Sequence, residues 1–223
     1  MRDSALRSAG LRGGYEFSDG QMDDHALGLW VAEQAVAAGA VIREHCAVRS
    51  VDRSGRISLE DGSSRQYQWL INACGPWAQR LLEQSGMVSA YQLDLVRGSH
   101  LILDCSRPQA YLLEVPAERR IVFLLPWKGK TLVGTTEVRQ SLDAAVRCED
   151  AERRYLLALV RHHLPKLDVA DDRVESFSGL RPLLRAAANP GQATREYALH
   201  RDERLITAFG GKGTTACALA RKL

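Results

Sequence analysis

The sequence predicts an α+β fold with two interleaved lobes, one of mixed strands and helices and one built on an antiparallel sheet. Strand-like runs alternate with helical segments in residues 15–85 and 203–223, which we assign to the mixed lobe. From residue 91, five strand-like runs follow one another with only turns between them. Successive strands without intervening helices are typical of an antiparallel sheet. We therefore assign residues 90–200 to the antiparallel lobe.

Length, composition and charge narrow the class of protein. The chain has 223 residues, of which 45% are hydrophobic, which is ordinary for a globular domain with a proper core. Its net charge of +3 does not argue for a nucleic-acid partner. The sequence contains no run of about 18 apolar residues, so we predict no membrane-spanning segment. The 5 scattered cysteines contain no CxxC pair, which predicts free thiols in a reducing cytoplasm rather than disulfides or a zinc site.

The mixed lobe begins with a helix. Asp23 and Asp24 suit the first turn, apolar residues recur as far as Ala38, and Gly39 ends the pattern. Ser54-Gly55 predicts a hairpin turn between two short strands. The predicted elements that follow the first helix are the strands Val41–Ile42, Val48–Val51, Ile57–Leu59 and Tyr67–Ala73 and a helix over 78–84.

The antiparallel lobe contains strands and one helix. Its helix is predicted over Glu149–His163, because apolar residues recur on one side. The predicted strands are Leu93–Leu95, His100–Leu103, Ala110–Val115, Ile121–Pro126 and Thr131–Thr136, followed by extended segments over 173–184 and 195–200.

The most informative segment is the turn that follows the last strand, Phe209–Thr215. Two glycines allow the main chain to approach a ligand closely, and Thr214 and Thr215 favour a helix start. Free N–H groups at such a start, with Lys212 in the same turn, predict a site for an anion or for negative charge that develops during a reaction. A Gly-Gly pair before a helix is also commonly a simple turn.

Three further side chains are candidates for chemistry. Arg181 lies among apolar residues in a predicted strand, which favours either an anion-binding role or a structural salt bridge. Arg195 is a second candidate, although Glu196 beside it favours a solvated position. His100 lies within an apolar strand, where it serves either as a general base or as a hydrogen-bonded core residue.

Several common motifs do not occur. The sequence contains no HExxH and no GxSxG, so we predict neither a metal site nor a hydrolase nucleophile elbow. It also contains no GxGxxG and no GxxxxGK[ST].

Eight short motifs, in this order, resemble the flavin-dependent glycerol-3-phosphate dehydrogenase family, within the wider group of amino-acid oxidase-like flavoproteins. They are Gly14–Gly20 with Asp23-Asp24, Asn72–Trp77, Arg97–His100, Ile121–Trp127, Thr131–Thr136, Ser178–Leu183, Thr194–Tyr197 and Gly210–Thr215. The mixed lobe is thereby identified as part of an FAD-binding domain and the antiparallel lobe as a substrate domain.

The resemblance implies the reaction and the residues that perform it. The family oxidises sn-glycerol 3-phosphate to dihydroxyacetone phosphate, passing hydride to FAD and electrons to quinone. Arg181 and Arg195 would bind the substrate, His100 would accept the hydroxyl proton, and Lys212 would stabilise reduced flavin. The residues implied to contact FAD are Val48, Ala73, Gly75, Trp77, Gly179, Gly211, Lys212, Gly213, Thr214 and Thr215. A cytoplasmic location follows, with peripheral membrane association and a homodimer left open.

The sequence also departs from the family pattern. The family begins with a strand, GxGxxG and a helix that hold the pyrophosphate, and Gly213 stands where a leucine is usual. We therefore expect an incomplete form that binds FAD weakly or not at all by itself. The alternatives are a flavin oxidase of an amino acid or 2-hydroxy acid, and a non-catalytic remnant that serves as a binding module.

Overall fold

The computed structural model describes residues 5–116, 118, 120–169, 173–185 and 197–223. Their regular elements, in chain order, are α1 (Asp24–Ala37), β1 (Val48–Val51), β2 (Arg56–Leu59), β3 (Ser64–Gln66), β4 (Leu70–Asn72), α2 (Ala78–Gln84), β5 (Leu93–Leu103), β6 (Tyr111–Glu114), β7 (Ile121–Trp127), β8 (Lys130–Gly134), β9 (Val138–Arg139), α3 (Asp150–His163), β10 (Glu175–Leu184), β11 (Tyr197–Asp202), β12 (Leu205–Gly210) and α4 (Ala216–Ala220). This combination of helices with mixed and antiparallel sheets confirms the predicted α+β class.

The described residues form two compact units. The antiparallel unit lies within Met1–Gly14 and Asp94–Arg181, and the mixed unit lies within Tyr15–Leu93 and Pro182–Leu223. The chain passes between them after Leu93 and within β10, whereas the sequence placed the boundaries near residues 90 and 200.

The antiparallel unit is a sheet covered by one helix. Its strands run in the order β10-β5-β8-β7-β6, and β9 pairs with the first part of β5. The helix α3 begins with a capping box between Glu149 and Glu152, which satisfies main-chain N–H groups at its start. Its apolar side packs with the inner sheet residues, so that Leu156, Val160, Leu101 and Val122 are fully buried. The predicted helix is confirmed.

The segments predicted as two strands, Leu93–Leu95 and His100–Leu103, belong to the single strand β5. The polar residues Arg97 and Ser99 between them resemble a break in an apolar pattern. Both side chains are nevertheless buried, because Glu152 provides partners for them. Polar residues can continue a buried strand when their charges and hydrogen bonds are matched.

The mixed unit contains two three-stranded sheets. The strands β1, β2 and β3 form an antiparallel meander, which includes the predicted hairpin. In the second sheet, β12 lies between β11 and β4, antiparallel to β11 and parallel to β4. The register places Leu205, Ile206 and Thr207 opposite Leu70, Ile71 and Asn72. The two parallel strands therefore end at the same edge of the sheet.

The predicted strand Tyr67–Ala73 is too long at its start. Strand β4 begins at Leu70, since the Tyr67 N–H donates to the Gly55 carbonyl and completes the hairpin of β2 and β3. Gly55 has φ of 97°, and a Cβ there would lie 2.2 Å from the Tyr67 carbonyl oxygen. Only glycine permits this close approach of the two chain segments.

The helix α1 is confirmed, and the Asp23 carboxylate caps it by accepting the Ala26 N–H at 3.1 Å. The predicted strand Val41–Ile42 is wrong, because both residues lie in an irregular segment and pair with no strand in the described part of the chain. An apolar pair forms a strand only where a neighbouring strand accepts its main-chain hydrogen bonds. Among the described residues, no helix has the length and apolar character required to cross a bilayer.

Candidate functional site

The Arg181 guanidinium lies over the main chain of Gly98 in the antiparallel unit. A Cβ at Gly98 would be 1.9 Å from Arg181 Nη2, so this position has room for the guanidinium only because it is glycine. Arg181 Nη2 donates to Thr135 Oγ1 at 2.8 Å and to the Thr136 carbonyl at 3.1 Å. These bonds fix the planar guanidinium and leave its side chain 26% exposed. A fixed guanidinium of this kind suits a phosphate or carboxylate.

A second guanidinium approaches the same loop. Arg120 Nη2 donates to the Thr135 carbonyl at 2.8 Å, and its Nε lies 3.7 Å from Glu137 Oε2. Glu137 Oε1 is 3.7 Å from Arg181 Nη1. Glu137 thus lies beside both guanidinium groups, and Glu118 Oε2 lies 3.7 Å from Arg120 Nη1, so two carboxylates face the two cations. Sequence reasoning missed Arg120 and Glu137; the signal available was the acid that follows Thr135-Thr136 directly.

His100 is held beside this loop by two neighbours. Its imidazole stacks on the Phe177 ring, with centroids 5.0 Å apart and planes 9° from parallel. His100 pairs with Gly134 across β5 and β8, and a Cβ at Gly134 would lie 2.1 Å from its Cδ2. Among the described residues, none forms a hydrogen bond with the buried Nδ1. The buried Nδ1 therefore lacks, within the described part of the chain, the partner expected for a hydrogen-bonded core histidine.

The electrostatic environment keeps His100 neutral. Burial disfavours the imidazolium, and the positive charge of Arg181 disfavours it further, which lowers the pKa of His100 from 6.5 to about 4. A neutral imidazole can accept a proton, but a pKa near 4 makes it a weaker base than an ordinary histidine until an anion offsets the Arg181 charge.

This environment gives a titration that NMR can measure. We expect the ring resonances of His100 to titrate with a midpoint near 4 rather than 6.5. Between pH 4 and pH 6.5 the unfolded chain binds a proton at this histidine that the native chain does not. The contribution of His100 to the free energy of unfolding is therefore complete above pH 6.5 and is lost as the pH falls towards 4. The His100→Asn variant assigns the resonances, and a midpoint close to 6.5 would contradict the buried, cation-facing arrangement.

The buried carboxylate of Glu152 binds residues that adjoin both His100 and Arg181. Glu152 Oε1 accepts hydrogen bonds from Ser99 Oγ at 2.8 Å and Thr136 Oγ1 at 2.5 Å, and Oε2 lies 2.7 Å from Arg97 Nη2. Ser99 precedes His100 in β5, and Thr136 offers its carbonyl to Arg181. Glu152 therefore links the start of α3 to both halves of the site. Sequence reasoning missed it, although the capping-box pair Glu149 and Glu152 was visible.

In the mixed unit, the two predicted cofactor segments emerge at one edge of the sheet. Ala73 and Gly75 follow the end of β4, and Gly211 and Lys212 follow the end of the parallel strand β12. The buried Asn72 shapes the first segment, because its Nδ2 donates to the Ala78 carbonyl at 3.0 Å and its Oδ1 accepts the Cys74 N–H at 3.3 Å. Ligands of open α/β sheets bind outside the carboxyl ends of parallel strands.

The turn after β12 differs in detail from the prediction. Gly210 and Gly211 have φ of 75° and 91°, as expected for a glycine turn, and Lys212 is exposed. Residues Gly213–Thr215 form a 3-10 turn before α4. Thr215 does not cap the helix with its side chain, since its hydroxyl donates to the Lys212 carbonyl at 3.1 Å. The exposed lysine and main chain are thus the features that remain available to a ligand.

The other predicted contact residues lie in several places. Val48 begins β1, and Trp77 is exposed before α2. Gly179 is exposed in β10, where a Cβ would meet no atom within 4 Å. Arg195 lies outside the described residues, so its substrate-binding role remains a prediction.

The comparisons with known proteins identify the class. The FAD dependent oxidoreductase family matches residues 2–223, and the chain belongs to this family. The aerobic glycerol-3-phosphate dehydrogenase of Escherichia coli is 33% identical over 94% of this chain and 46% of its own length. The glycerol-3-phosphate dehydrogenase of Pseudomonas aeruginosa is 34% identical over 97% of this chain. The predicted resemblance is confirmed.

Solved structures agree with this assignment. The glycerol-3-phosphate dehydrogenase from Bacillus halodurans, complexed with FAD, matches 98% of this chain and 45% of its own chain with a TM-score of 0.84 and 31% identity. Glycine oxidase from Geobacillus kaustophilus shares the fold, with a TM-score of 0.60 and 22% identity. The chain spans about half the length of the curated relatives that it matches.

Proposed function

We propose that the protein takes part in the FAD-dependent oxidation of a phosphorylated polyol, with sn-glycerol 3-phosphate as the substrate and dihydroxyacetone phosphate as the product. The observation that carries the proposal is the fixed, partly exposed Arg181 guanidinium in the same unit as His100, whose imidazole is held against Phe177. It offers an anion-binding group and a proton acceptor, which are the two functions that this oxidation requires of protein side chains. The relatives named above support the choice of substrate.

The residues at the carboxyl ends of β4 and β12 fit a flavin nucleotide. Ala73 and Lys212 are exposed and Gly210 and Gly211 are partly exposed, and these residues follow two parallel strands that end together. Positive φ at Gly210 and Gly211 exposes the main chain without a side chain in the way. Ala73, Gly75 and Gly211 would hold the cofactor through their main chains, and Lys212 would contribute a positive charge.

In the proposed mechanism the side chains of the antiparallel unit act on the substrate. Arg181 binds the substrate phosphate, and His100 accepts the proton of the hydroxyl group at C2 as that carbon becomes a carbonyl. A bound FAD would supply the acceptor for the hydride from C2. Glu152 keeps Ser99 and Thr136 in place, and these residues position His100 and Arg181. Lys212 would hold the cofactor with a positive charge.

The substrate could also be another polyol phosphate. D-erythritol 1-phosphate dehydrogenase of Brucella abortus is 32% identical over 94% of this chain, and its substrate shares the phosphate and a neighbouring hydroxyl. Comparing kcat/KM for the two phosphates, with unphosphorylated glycerol as the control, tests the proposal. Reduction of the flavin by glycerol at a comparable kcat/KM, or by neither phosphate, would overturn it.

The proposal extends to the surroundings of the enzyme. Quinone is the proposed electron acceptor, and the cytoplasm, with peripheral attachment to the inner face of the cell membrane, is the proposed location. Flavin reoxidation by a soluble quinone, compared with reoxidation by dioxygen, tests the acceptor.

Arg181→Ala tests the binding group. In the flavin-loaded enzyme we expect a higher KM and a loss in kcat/KM equivalent to about 1.5–3 kcal/mol, because a charge-assisted contact with the phosphate is removed. Arg154→Ala, an exposed arginine on α3, serves as the control and should leave both constants unchanged. Equal kinetics for the two variants would exclude Arg181 from substrate binding.

His100→Asn tests the proton acceptor. We expect kcat to fall about 10²–10⁴-fold, the usual contribution of a general base, while the flavin content stays the same. Absorbance of the purified protein measures the flavin, and steady-state kinetics measure kcat. Loss of flavin with an unchanged turnover per bound flavin would instead show a structural role.

A further inference from the structure

Glu137 lies between two guanidinium groups of the antiparallel unit and faces each of them with a different oxygen. Its Oε1 is 3.7 Å from Arg181 Nη1, and its Oε2 is 3.7 Å from Arg120 Nε. Both distances are typical of an ion pair, but they exceed the usual limit of about 3.2 Å for an N–H···O hydrogen bond. Glu137 therefore offsets the charge of both arginines without a short, directional bond to these nitrogens.

The main chain is fixed on both sides of Glu137. The Thr136 N–H donates to the Ser99 carbonyl at 3.2 Å, and Val138 pairs with Arg97 across β9 and β5. Glu137 thus projects from a short segment that is anchored at both neighbouring residues.

Arg181 has supports that do not involve Glu137. Its Nη2 donates to the Thr135 hydroxyl and to the Thr136 carbonyl, whereas Glu137 faces the other terminal nitrogen, Nη1. The two threonines therefore orient the guanidinium, and Glu137 supplies negative charge beside it. An anion that binds Arg181 at Nη1 meets the Glu137 carboxylate, and two negative groups at one guanidinium repel each other.

Water screens this repulsion only in part. The side chains of Arg181 and Glu137 are 26% and 27% exposed, so their charges interact more strongly than charges on an open surface. Arg120 does not depend on Glu137 alone, because Glu118 Oε2 lies 3.7 Å from its Nη1. Replacement of Glu137 therefore changes the charge beside Arg181 while Arg120 keeps a carboxylate partner.

We propose that Glu137 is a positioning residue that sets the affinity of Arg181 for phosphate, because it is the internal counter-ion that the substrate phosphate displaces from Nη1. This inference rests on the proposed function, which assigns the substrate phosphate to Arg181. Substrate and product carry the same phosphate, so tight binding through that group would stabilise both equally and would delay release of the product. A carboxylate that competes for Arg181 prevents this delay.

Binding of inorganic phosphate to the full chain tests the proposal without flavin or substrate. Glu137→Gln keeps the size of the side chain and removes its charge. We expect the Kd for phosphate, measured by NMR chemical-shift titration at low salt, to fall about fivefold or more. Glu118→Gln makes the same change of charge beside Arg120 and is the matched control, with the Kd of the unchanged chain. Equal Kd values for the two variants, or a higher Kd for Glu137→Gln, would overturn the proposal.

Two further variants assign the effect to Arg181. When Arg181→Ala is added to Glu137→Gln, the gain in phosphate affinity should disappear, and a gain that persists would contradict an action through Arg181. Glu137→Asp keeps the charge on a side chain that is shorter by one methylene, so its Kd should lie between those of the unchanged chain and Glu137→Gln. This variant also decides the question if Glu137→Gln does not fold, since a Kd no lower than that of the unchanged chain would overturn the proposal.

Kinetics of the flavin-loaded enzyme separate this role from a structural one. Glu137→Gln should lower the KM for glycerol 3-phosphate without raising kcat, which is the pattern of tighter binding to ground state and transition state alike. A structural defect would instead raise KM, and that result would overturn the proposal. Phosphate binding that does not respond to Glu137 would overturn this inference alone, whereas absence of phosphate binding in every variant would also remove the phosphate site from the proposed function.

Discussion

Replacing Glu152 with alanine is expected to lower the free energy of unfolding by about 3 kcal/mol, because removing one member of a buried ion pair deprives the other charge of its nearest partner. Arg97 is the charge left behind, with a side chain that is only 8% exposed, and it keeps only the more distant Glu149 carboxylate at 3.8 Å and a hydrogen bond to Gln140. The hydroxyl groups of Ser99 and Thr136 lose their acceptor at the same time. Urea unfolding followed by circular dichroism measures the change.

Two variants separate the ion pair from other effects. Asp150→Ala removes an exposed carboxylate in the first turn of the same helix and should cost less than about 1 kcal/mol. Glu152→Gln keeps the shape of the side chain but removes its charge. Its loss of unfolding free energy should therefore lie between the losses in Glu152→Ala and Asp150→Ala. If Glu152→Ala costs no more than Asp150→Ala, the buried network does not stabilise the fold.

The same network has a pH signature. Burial opposes ionisation of Glu152, but hydrogen bonds from Thr136, the Glu149 main chain and Ser99, together with Arg97, outweigh it and lower the pKa of Glu152 below 4.5. This contribution to stability is therefore complete above pH 4.5 and is lost as the pH falls through the lowered native value. The free energy of unfolding of Glu152→Gln should therefore lack this loss at acidic pH.

Gly98→Ala is expected to displace Arg181 and to lower both stability and substrate affinity. The new methyl group would lie 1.9 Å from Arg181 Nη2 and 2.6 Å from Thr135 Oγ1, so the guanidinium must leave its position. We expect a loss of about 1–3 kcal/mol of stability, as for other overpacked sites. The flavin-loaded variant should show the raised KM of Arg181→Ala, although Arg181 itself is intact.

The matched control is Gly179→Ala in β10. A methyl group there would meet no atom within 4 Å, so stability should change by less than about 0.5 kcal/mol. If Gly98→Ala unfolds like Gly179→Ala and has the KM of the unchanged protein, then the guanidinium does not lie across Gly98.

Local patterns in the sequence were sufficient for much of the fold. The apolar spacing of α3 predicted that helix within one residue, and Ser54-Gly55 predicted the hairpin of β1 and β2. These elements depend on contacts between residues close in the chain. The continuity of β5 was missed because Arg97 becomes a strand residue only when the distant Glu152 neutralises it.

In the candidate site, too, local sequence patterns were sufficient for some residues and long-range contacts decided the others. Arg181 and His100 were found because a charged or titratable residue within an apolar strand is unusual. Arg120 and Glu137 were not predicted as site residues. Arg120 contacts both Thr135 and Glu137, and the order of the strands in the sheet brings these residues together, so no short motif indicates the contact. The roles of Arg181, His100, Lys212 and Arg195 remain predictions.

The exposure of Trp77 has a consequence for spectroscopy. Trp30 and Trp69 are also exposed and lie in the mixed unit, so three of the 4 tryptophans of the chain report on that unit alone. Their indole emission should already have the long wavelength of rings in contact with water. Unfolding of this chain will therefore change the fluorescence maximum little, whereas a shift to shorter wavelength will signal that these rings have lost contact with water.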